Sequence, residues 1–434
     1  MPRQLALSLL LTSLLCATAQ AQGLAPAEQR IADEVKAWQP QAIDLLERSA
    51  RINSGTMNLQ GVRAVGEVFR QELDALGFKT AWIDMPRDMG RAGHLVANRS
   101  GTTVQGKRLL LLGHLDTVFE TDAPGPLWQR EGDSARGQGV GDMKGGNVIV
   151  IAALRALQRA GALDNTSISV VFTGDEEEAG HPREVSRRDL VELARRSDVA
   201  LSFEGAITDA SGQALATVGR RATASFDLDV KGRQGHSQGV FGNGGYGAVY
   251  EAARILDGFR QAVAEPGLTF NPGVILGGTD VALDEANSKG TAAGKTNVIA
   301  NTVTIRGDLR YLDYPQRDRA HARMREIVAQ SLPGASAAIS FRDSYPPMAV
   351  TPGNLKLLEQ YSQASNDAGL GTVGAVPPSA RGAGDIQFVA PLIDSLDGLG
   401  ASGGGAHSPG ERVDLTSLER SAIRAAILIY RLTR

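Results

Sequence analysis

Residues 108–114 read Arg108-Leu-Leu-Leu-Leu-Gly-His114, and residues 167–173 read Ser167-Ile-Ser-Val-Val-Phe-Thr173. Both runs are short, mostly apolar and bounded by polar residues, the pattern of strands buried on both faces. Between them, residues 148–157 carry the apolar spacing of a helix. Strand, helix and strand in that order predict a right-handed βαβ unit and a mainly parallel sheet. Sheets of this kind gather ligand-binding groups beyond the carboxyl ends of their strands. The polar residues that follow each apolar run are therefore where chemistry is sought.

Working outward, residues 26–50 and 62–76 show helical spacing. At Ala222-Thr-Ala-Ser-Phe-Asp-Leu-Asp-Val230 the period changes to alternation, as in a half-buried antiparallel strand. A helix over 246–263, strands over 274–276 and 297–312, a helix over 315–332 and a strand over 337–341 complete a β-α-β-β-α-β order. This predicts a ferredoxin-like α/β sandwich inserted at residues 220–342. Pro346-Pro347 marks its exit, after which residues 355–368, 394–396 and 418–432 return to the first pattern. The expected fold is α/β, with one domain made from residues 22–219 and 343–434 around the insert.

The 434 residues carry 45 Lys and Arg against 48 Asp and Glu, a formal net charge of −3. No basic surplus is available to neutralise phosphates, which argues against a nucleic-acid partner. At the N-terminus, Arg3, an apolar stretch over 5–16 and Ala19-Gln20-Ala21 form the pattern of a secretory signal peptide over residues 1–21. That stretch is too short to span a membrane, so no transmembrane segment is expected and the mature chain is expected to be periplasmic or secreted. The single cysteine, Cys16, would leave with the signal. Any metal must then be held by His, Asp and Glu.

The candidate ligands follow the apolar runs. His114 and Asp116 lie two residues apart at a strand end, so one can bind metal while the other orients it. Asp142 follows Gly137-Gln-Gly-Val-Gly141 and precedes a helix, where it could equally act as a cap. Asp175-Glu-Glu-Glu178 ends the second strand with four carboxylates, a solvated loop unless cations compensate their repulsion. Glu204 ends Val199-Ala-Leu-Ser-Phe203, and His407 lies in Gly403-Gly-Gly-Ala-His-Ser-Pro-Gly410. Nitrogen and oxygen donors in this mixture suit divalent ions with an open position, zinc above all, and two ions sharing a bridging carboxylate account for the set. A carboxylate that is not a ligand must then move the proton. The residues alone do not choose among Glu176, Glu177 and Glu178.

Seven stretches occur in order: GHLDTVF at 113–119, GVGDMKGG at 139–146, FTGDEEEAG at 172–180, LSFEGA at 201–206, GRQGHS at 232–237, NVIANTVTIRGDLR at 297–310 and AHSPGE at 406–411. Together they resemble the glutamate carboxypeptidase and aminoacylase family of dizinc metallopeptidases. The resemblance implies a zinc-exopeptidase-like catalytic domain with an inserted lid and dimerisation domain. It implies two Zn²⁺ per chain, with Co²⁺ or Mn²⁺ as substitutes. His114 and Glu204 would share one ion, His407 and Glu177 the other, with Asp142 bridging. Asp116 would brace His114, and Glu176 would be the general base and acid. A cis peptide between Asp142 and Met143 is implied as well.

On the lid, His236 matches a histidine that reaches a partner's active site in a homodimer, and Asn297 and Arg310 match substrate-binding residues. Ala300 departs from the usual proline, and Arg381-Gly-Ala-Gly-Asp385 departs from the commoner Gly-Ser/Thr-Asp. His94, His181 and His321 fall outside every stretch and are expected to be structural or on the surface. The implied reaction is cleavage of the amide before a C-terminal amino acid in a small peptide or N-acyl amino acid. An N-acyl-amino-acid amidohydrolase or an aminopeptidase is the alternative within that chemistry, and a periplasmic solute-binding protein the alternative outside it.

Overall fold

The computed structural model describes residues 23–284 and 289–434. The expected signal peptide and Cys16 lie outside the described residues. Six strands form the central sheet, in the spatial order Lys79–Ile83, His94–Ser100, Ser167–Thr173, Arg108–His114, Val199–Ser202, Asp394–Leu396. Arg108–His114 runs parallel to both neighbours, pairing Leu111 with Val170 and with Leu201. Asp394–Leu396 adds a parallel edge, bringing the C-terminal part of the chain back into the sheet. The other edge is antiparallel. The sheet is therefore mainly parallel, as expected, with two antiparallel strands at one side, Lys79–Ile83 and His94–Ser100, that the sequence reading did not place.

The four leucines show why this run is a strand. Leu109 and Leu111 enter one buried cluster with Val150, Leu154 and Ile427, whereas Leu110 and Leu112 enter another with Leu190, Met348 and Ile386. Alternation sends successive side chains to opposite faces, and both faces are covered. Truncating such a leucine to alanine costs about 2–5 kcal/mol. The crossover helix is Gly145–Arg159, and the terminal helix Leu415–Leu432 joins it in the same cluster.

The expected helix over 26–50 is two helices, Pro26–Ala37 and Gln39–Ala50, meeting at Trp38. Pro40 has no N–H to donate and its ring clashes with the carbonyl four residues back, so one continuous helix is broken there.

The insert has four antiparallel strands in the order Thr269–Gly278, Thr302–Tyr311, Ala222–Gly232, Ala335–Tyr345. Helices Gly247–Ala262 and Tyr314–Ala329 pack on its apolar face, around Phe226, Leu228, Ile255, Phe259, Ile305 and Met324. An antiparallel pair, Asp280–Asp284 with Lys289–Ala293, was not expected, and the strand expected over 297–312 begins only at Thr302. The chain enters and leaves this lid side by side. Arg220 pairs with Met348, and the Gln387 amide donates to Arg221 O at 3.1 Å and Pro346 O at 2.5 Å.

Candidate metal centre

His114 ends its strand, the loop with Glu176 and Glu177 follows Thr173, and Glu204 follows Ser202, so parallel strands release these groups at one edge. Asp142 comes from the turn before the crossover helix, its peptide to Met143 is cis, and His407 comes from a loop at φ 61°. Two glycines permit this convergence. A Cβ at Gly146 would lie 2.0 Å from Phe203 O and one at Gly113 2.1 Å from Asn147 Oδ1, so the turn could not press against the strand ends with any larger residue.

Asp142 sits between the histidines. His114 Nε2 is 3.2 Å from its Oδ1, and His407 Nε2 is 3.1 Å from its Oδ2. His114 Nε2 is also 3.6 Å from Glu204 Oε1, and His407 Nε2 is 3.2 Å from Glu177 Oε2. Three sets of donors lie within 4.8 Å, His114 with Glu176 and Glu177, and two that share Asp142: His114 with Asp142 and Glu204, and His407 with Asp142 and Glu177. Asp142 alone joins the set of His114 and Glu204 to the set of His407 and Glu177.

Asp116 is fully buried and positions two things at once. Its carboxylate accepts from Thr56 Oγ1 at 2.7 Å, Glu176 N at 3.0 Å and Glu177 N at 3.1 Å, and stands 3.5 Å from His114 Nδ1. His114 Nδ1 is closer still to the Asp116 backbone carbonyl, at 3.0 Å, so this residue aims the imidazole through backbone and carboxylate together while its carboxylate fixes the acidic loop. The four consecutive carboxylates then part company. Asp175 binds Arg187 at 2.5 Å, Glu176 points toward His114, Glu177 meets His407, and Glu178 turns outward to Arg91 at 2.9 Å.

Burial pushes the Glu176 carboxyl well above its usual range, and lifts Glu177 as well. Glu204 is pushed up to about 7 by burial and the Asp142 charge. The histidines move the same way: hydrogen bonds to Asp142 and Glu177 raise His407 to about 10, and Asp116 and Asp142 outweigh burial in raising His114. Glu176, Glu177 and Glu204 thus resist ionisation chiefly because they are buried, whereas Asp142, despite its burial, is held below its usual range by hydrogen bonds to both histidines. The oxygen Glu177 Oε1 is buried without a hydrogen-bond partner. Two nitrogens, three carboxylates and an orphaned oxygen fit divalent cations.

Some site residues are legible only in three dimensions. Glu411 Oε1 accepts from Gly141 N at 2.8 Å and Asp142 N at 3.0 Å, holding the Asp142 turn. Asp385 binds Arg187 Nε at 2.7 Å and Thr173 Oγ1 at 2.5 Å, locking the base of the acidic loop. Their sequence signal was limited to lying in or next to quoted motifs.

The lid residues are placed elsewhere. His236 is exposed and caps a short turn, and Asn297, also exposed, accepts from Ser237 N at 2.9 Å. Neither joins the donor cluster. Arg310 pairs with Asp308 at 3.0 Å and lines a cleft of about 920 Å³ with Arg183, Ser344, Tyr345, Gly382 and Ala383. Of the remaining histidines, His94 is buried between Ser186 O and Gly174 N, His321 stacks on Phe341, and His181 is exposed.

A mainly parallel sheet that gathers His, Asp and Glu side chains into candidate metal-binding sets is the architecture of a metal-dependent hydrolase. The model of Peptidase family M20/M25/M40 matches residues 110–430, and the chain belongs to that family. It is 30% identical over 401 residues to carboxypeptidase G2 from Pseudomonas sp. (strain RS-16), covering 90% of this chain and 89% of that protein. It is 25% identical over 370 residues to succinyl-diaminopimelate desuccinylase from Delftia acidovorans, covering 81% and 89%. The fold matches aminopeptidase PepT from Bacillus cereus with a TM-score of 0.73 at 17% identity, covering 91% and 99%. The chain is thus a metallopeptidase-type hydrolase, which sets aside the solute-binding reading. No helix among the described residues is long and apolar enough to cross a membrane.

Proposed function

We propose that this enzyme is a dizinc amidohydrolase cleaving the amide before a C-terminal amino acid, an acidic one by preference. The observation that carries the reading is Asp142, whose two oxygens each face a different histidine at 3.2 and 3.1 Å. His114, Asp142 and Glu204 would hold one ion, and His407, Asp142 and Glu177 the other. When bound, such ions polarise a carbonyl and acidify water near neutral pH.

The protein's own groups do the rest. Glu176, buried beside His114 but outside the Asp142 sets, takes a proton from water and returns it to the leaving amine, a task suited to a carboxyl with a raised pKa. Asp116 keeps His114 oriented. Arg310, facing the cleft between lid and catalytic domain, offers a planar guanidinium to the free carboxylate of the substrate. The desuccinylase relatives support a second reading, in which the acyl group rather than the leaving amino acid carries the acidic specificity.

The lid would join two copies. Phe241 and Ile275 are 59% and 55% exposed, with Val249 and Tyr250 also exposed on this domain, an apolar area suited to a partner surface. In that homodimer His236 would serve the neighbour's site, which agrees with its lying apart from the cluster of its own chain. Export by the segment 1–21 would place the enzyme in the periplasm or outside the cell.

Metal analysis of saturated protein tests the centre: two ions per chain are expected, chelation should abolish hydrolysis of N-acyl amino acids, and Zn²⁺ should restore it. One ion at saturation, or hydrolysis that survives chelation, would overturn the reading. For His236, heterodimers of His236→Ala with Glu176→Gln should regain activity that neither variant has alone. Confirmed heterodimers without recovery would refute its role in the partner's site.

A further inference from the structure

A cavity of about 330 Å³ lies beside the metal centre, lined by Asp142, Glu204, His407 and, opposite in charge, Arg220 and Arg381. The two arginines are not equivalent. Arg220 is buried against Asp397 at 2.5 Å and donates to Gly382 O at 2.7 Å and Ala383 O at 3.0 Å, so its charge is matched. Arg381 donates Nη1 to Gly205 O at 3.2 Å, next to Glu204, while its Nε is buried with no acceptor. Among the described residues it makes no ion pair. Burial and nearby Arg220 work against this charge, and the carboxylates of Asp397, Glu204 and Asp142 offset them without forming an ion pair, so an arriving anion would supply the direct partner that Arg381 lacks.

We propose that Arg381 is a specificity-determining residue that binds a carboxylate of the substrate, distinct from the carboxylate met by Arg310. Gly382 and Ala383 line both this cavity and the cleft of Arg310, so the two guanidiniums flank one short stretch of chain between adjoining hollows. The pair fits a substrate carrying two carboxylates. The second could belong to the side chain of an acidic leaving residue or to a dicarboxylic acyl group, and the chemistry Arg381 reads is the same for both.

The inference rests on the amidohydrolase reading, and the test separates the two. Metal-loaded wild type, Arg381→Gln and Arg381→Lys are assayed on N-acetylglutamate against N-acetylglutamine, and on N-succinyl-leucine against N-butyryl-leucine. Arg381→Gln should lower kcat/KM about a hundredfold for the acid of one pair and leave its neutral counterpart within about threefold. The affected pair identifies which part of the substrate carries the carboxylate. Arg381→Lys should be impaired in the same direction, having lost the planar fork. Equal losses within both pairs, or a loss of bound metal, would mean that Arg381 merely braces the Glu204–Gly205 backbone, and would overturn the proposal. Unchanged kinetics throughout would overturn it too. If wild type cleaves none of the four, the amidohydrolase reading fails. Equilibrium binding of the same acids and neutral partners to wild type and Arg381→Gln then decides the Arg381 proposal, with loss of preference for the acids expected and equal affinities overturning it.

Discussion

The two ends of the central sheet handle carboxylates in opposite ways. At the amino end, Asp198 meets the Arg108 guanidinium at 2.7 Å and the Arg108 N–H at 2.8 Å, and its carboxyl is held down to about 2 by that hydrogen bonding. At the carboxyl end, Glu176, Glu177 and Glu204 are crowded together with carboxyls pushed up, chiefly by burial. Two neighbouring parallel strands, starting at Leu109 and Val199, connect the two situations. One end converts charge into stability. The other keeps buried carboxylates whose desolvation and mutual repulsion divalent cations would relieve.

The sharpest contrast lies within the carboxyl end itself, between adjacent glutamates. Glu176→Gln should keep both ions while turnover falls by about 10²–10⁴. Glu177→Gln should lose metal, because it removes the group that His407 meets at 3.2 Å. Metal content and kcat measured on both variants decide it, and the reverse pattern would shift the proposed roles by one residue. Next in size is Asp116→Asn. This residue lies outside the donor sets, yet its carboxylate stands 3.5 Å from His114 Nδ1, beside the backbone carbonyl at 3.0 Å, and holds the Glu176 and Glu177 amides. Metal affinity should fall about 10–100-fold with the fold intact. An unchanged affinity would show that the site does not depend on that brace.

How much of this was readable beforehand follows from where each signal resides. The run Arg108–His114 announces itself because both its faces are apolar, and the lid strand from Ala222 because only one is. The edge strand Lys79–Ile83 has neither pattern strongly, and of the antiparallel pair Asp280–Asp284 and Lys289–Ala293 the second strand is made only of small and polar residues. Pro40 was visible as a helix breaker, yet the apolar spacing on both sides masked the break. The candidate donor types were legible as chemistry at strand ends. The choice among Glu176, Glu177 and Glu178 was not, since it depends on Asp116 gripping two amides and Arg91 drawing Glu178 outward. The Arg187–Asp385 pair spans 198 residues, a distance across which no local pattern carries information.

Stored repulsion at the carboxyl end also predicts a stability effect in metal-free protein. Glu204 has its pKa raised from 4.5 to about 7, so the folded state binds its proton more tightly than the unfolded chain. Its stabilising contribution is then full below about pH 4.5 and is lost as pH rises through about 7. Glu204→Gln should therefore raise the stability of chelated protein at pH 8, on the order of 1–3 kcal/mol, while reducing metal binding. Chelated wild type that is more stable than the variant at pH 8 would contradict the idea that this end is strained by charge.

The smallest effect, and the one that closes the comparison, belongs to the amino end. Asp198 has its pKa lowered from 3.8 to about 2 by Arg108, so its sign is the opposite of that of Glu204. The pair contributes above about pH 3.8, and its contribution fades as pH falls through about 2. Arg108 and Asp198 are 49% and 30% exposed, so solvent screening holds the effect of Asp198→Asn below about 1 kcal/mol. Urea melts at pH 7 and pH 2.5 should show a small deficit for the variant at pH 7 that shrinks at pH 2.5, with metal content and turnover at pH 7 unaltered. A deficit that persists undiminished at the lower pH would mean that Asp198 acts by packing against the strand start rather than through its charge. Loss of metal in that variant would mean that the two ends of the sheet are coupled and cannot be treated as separate regions.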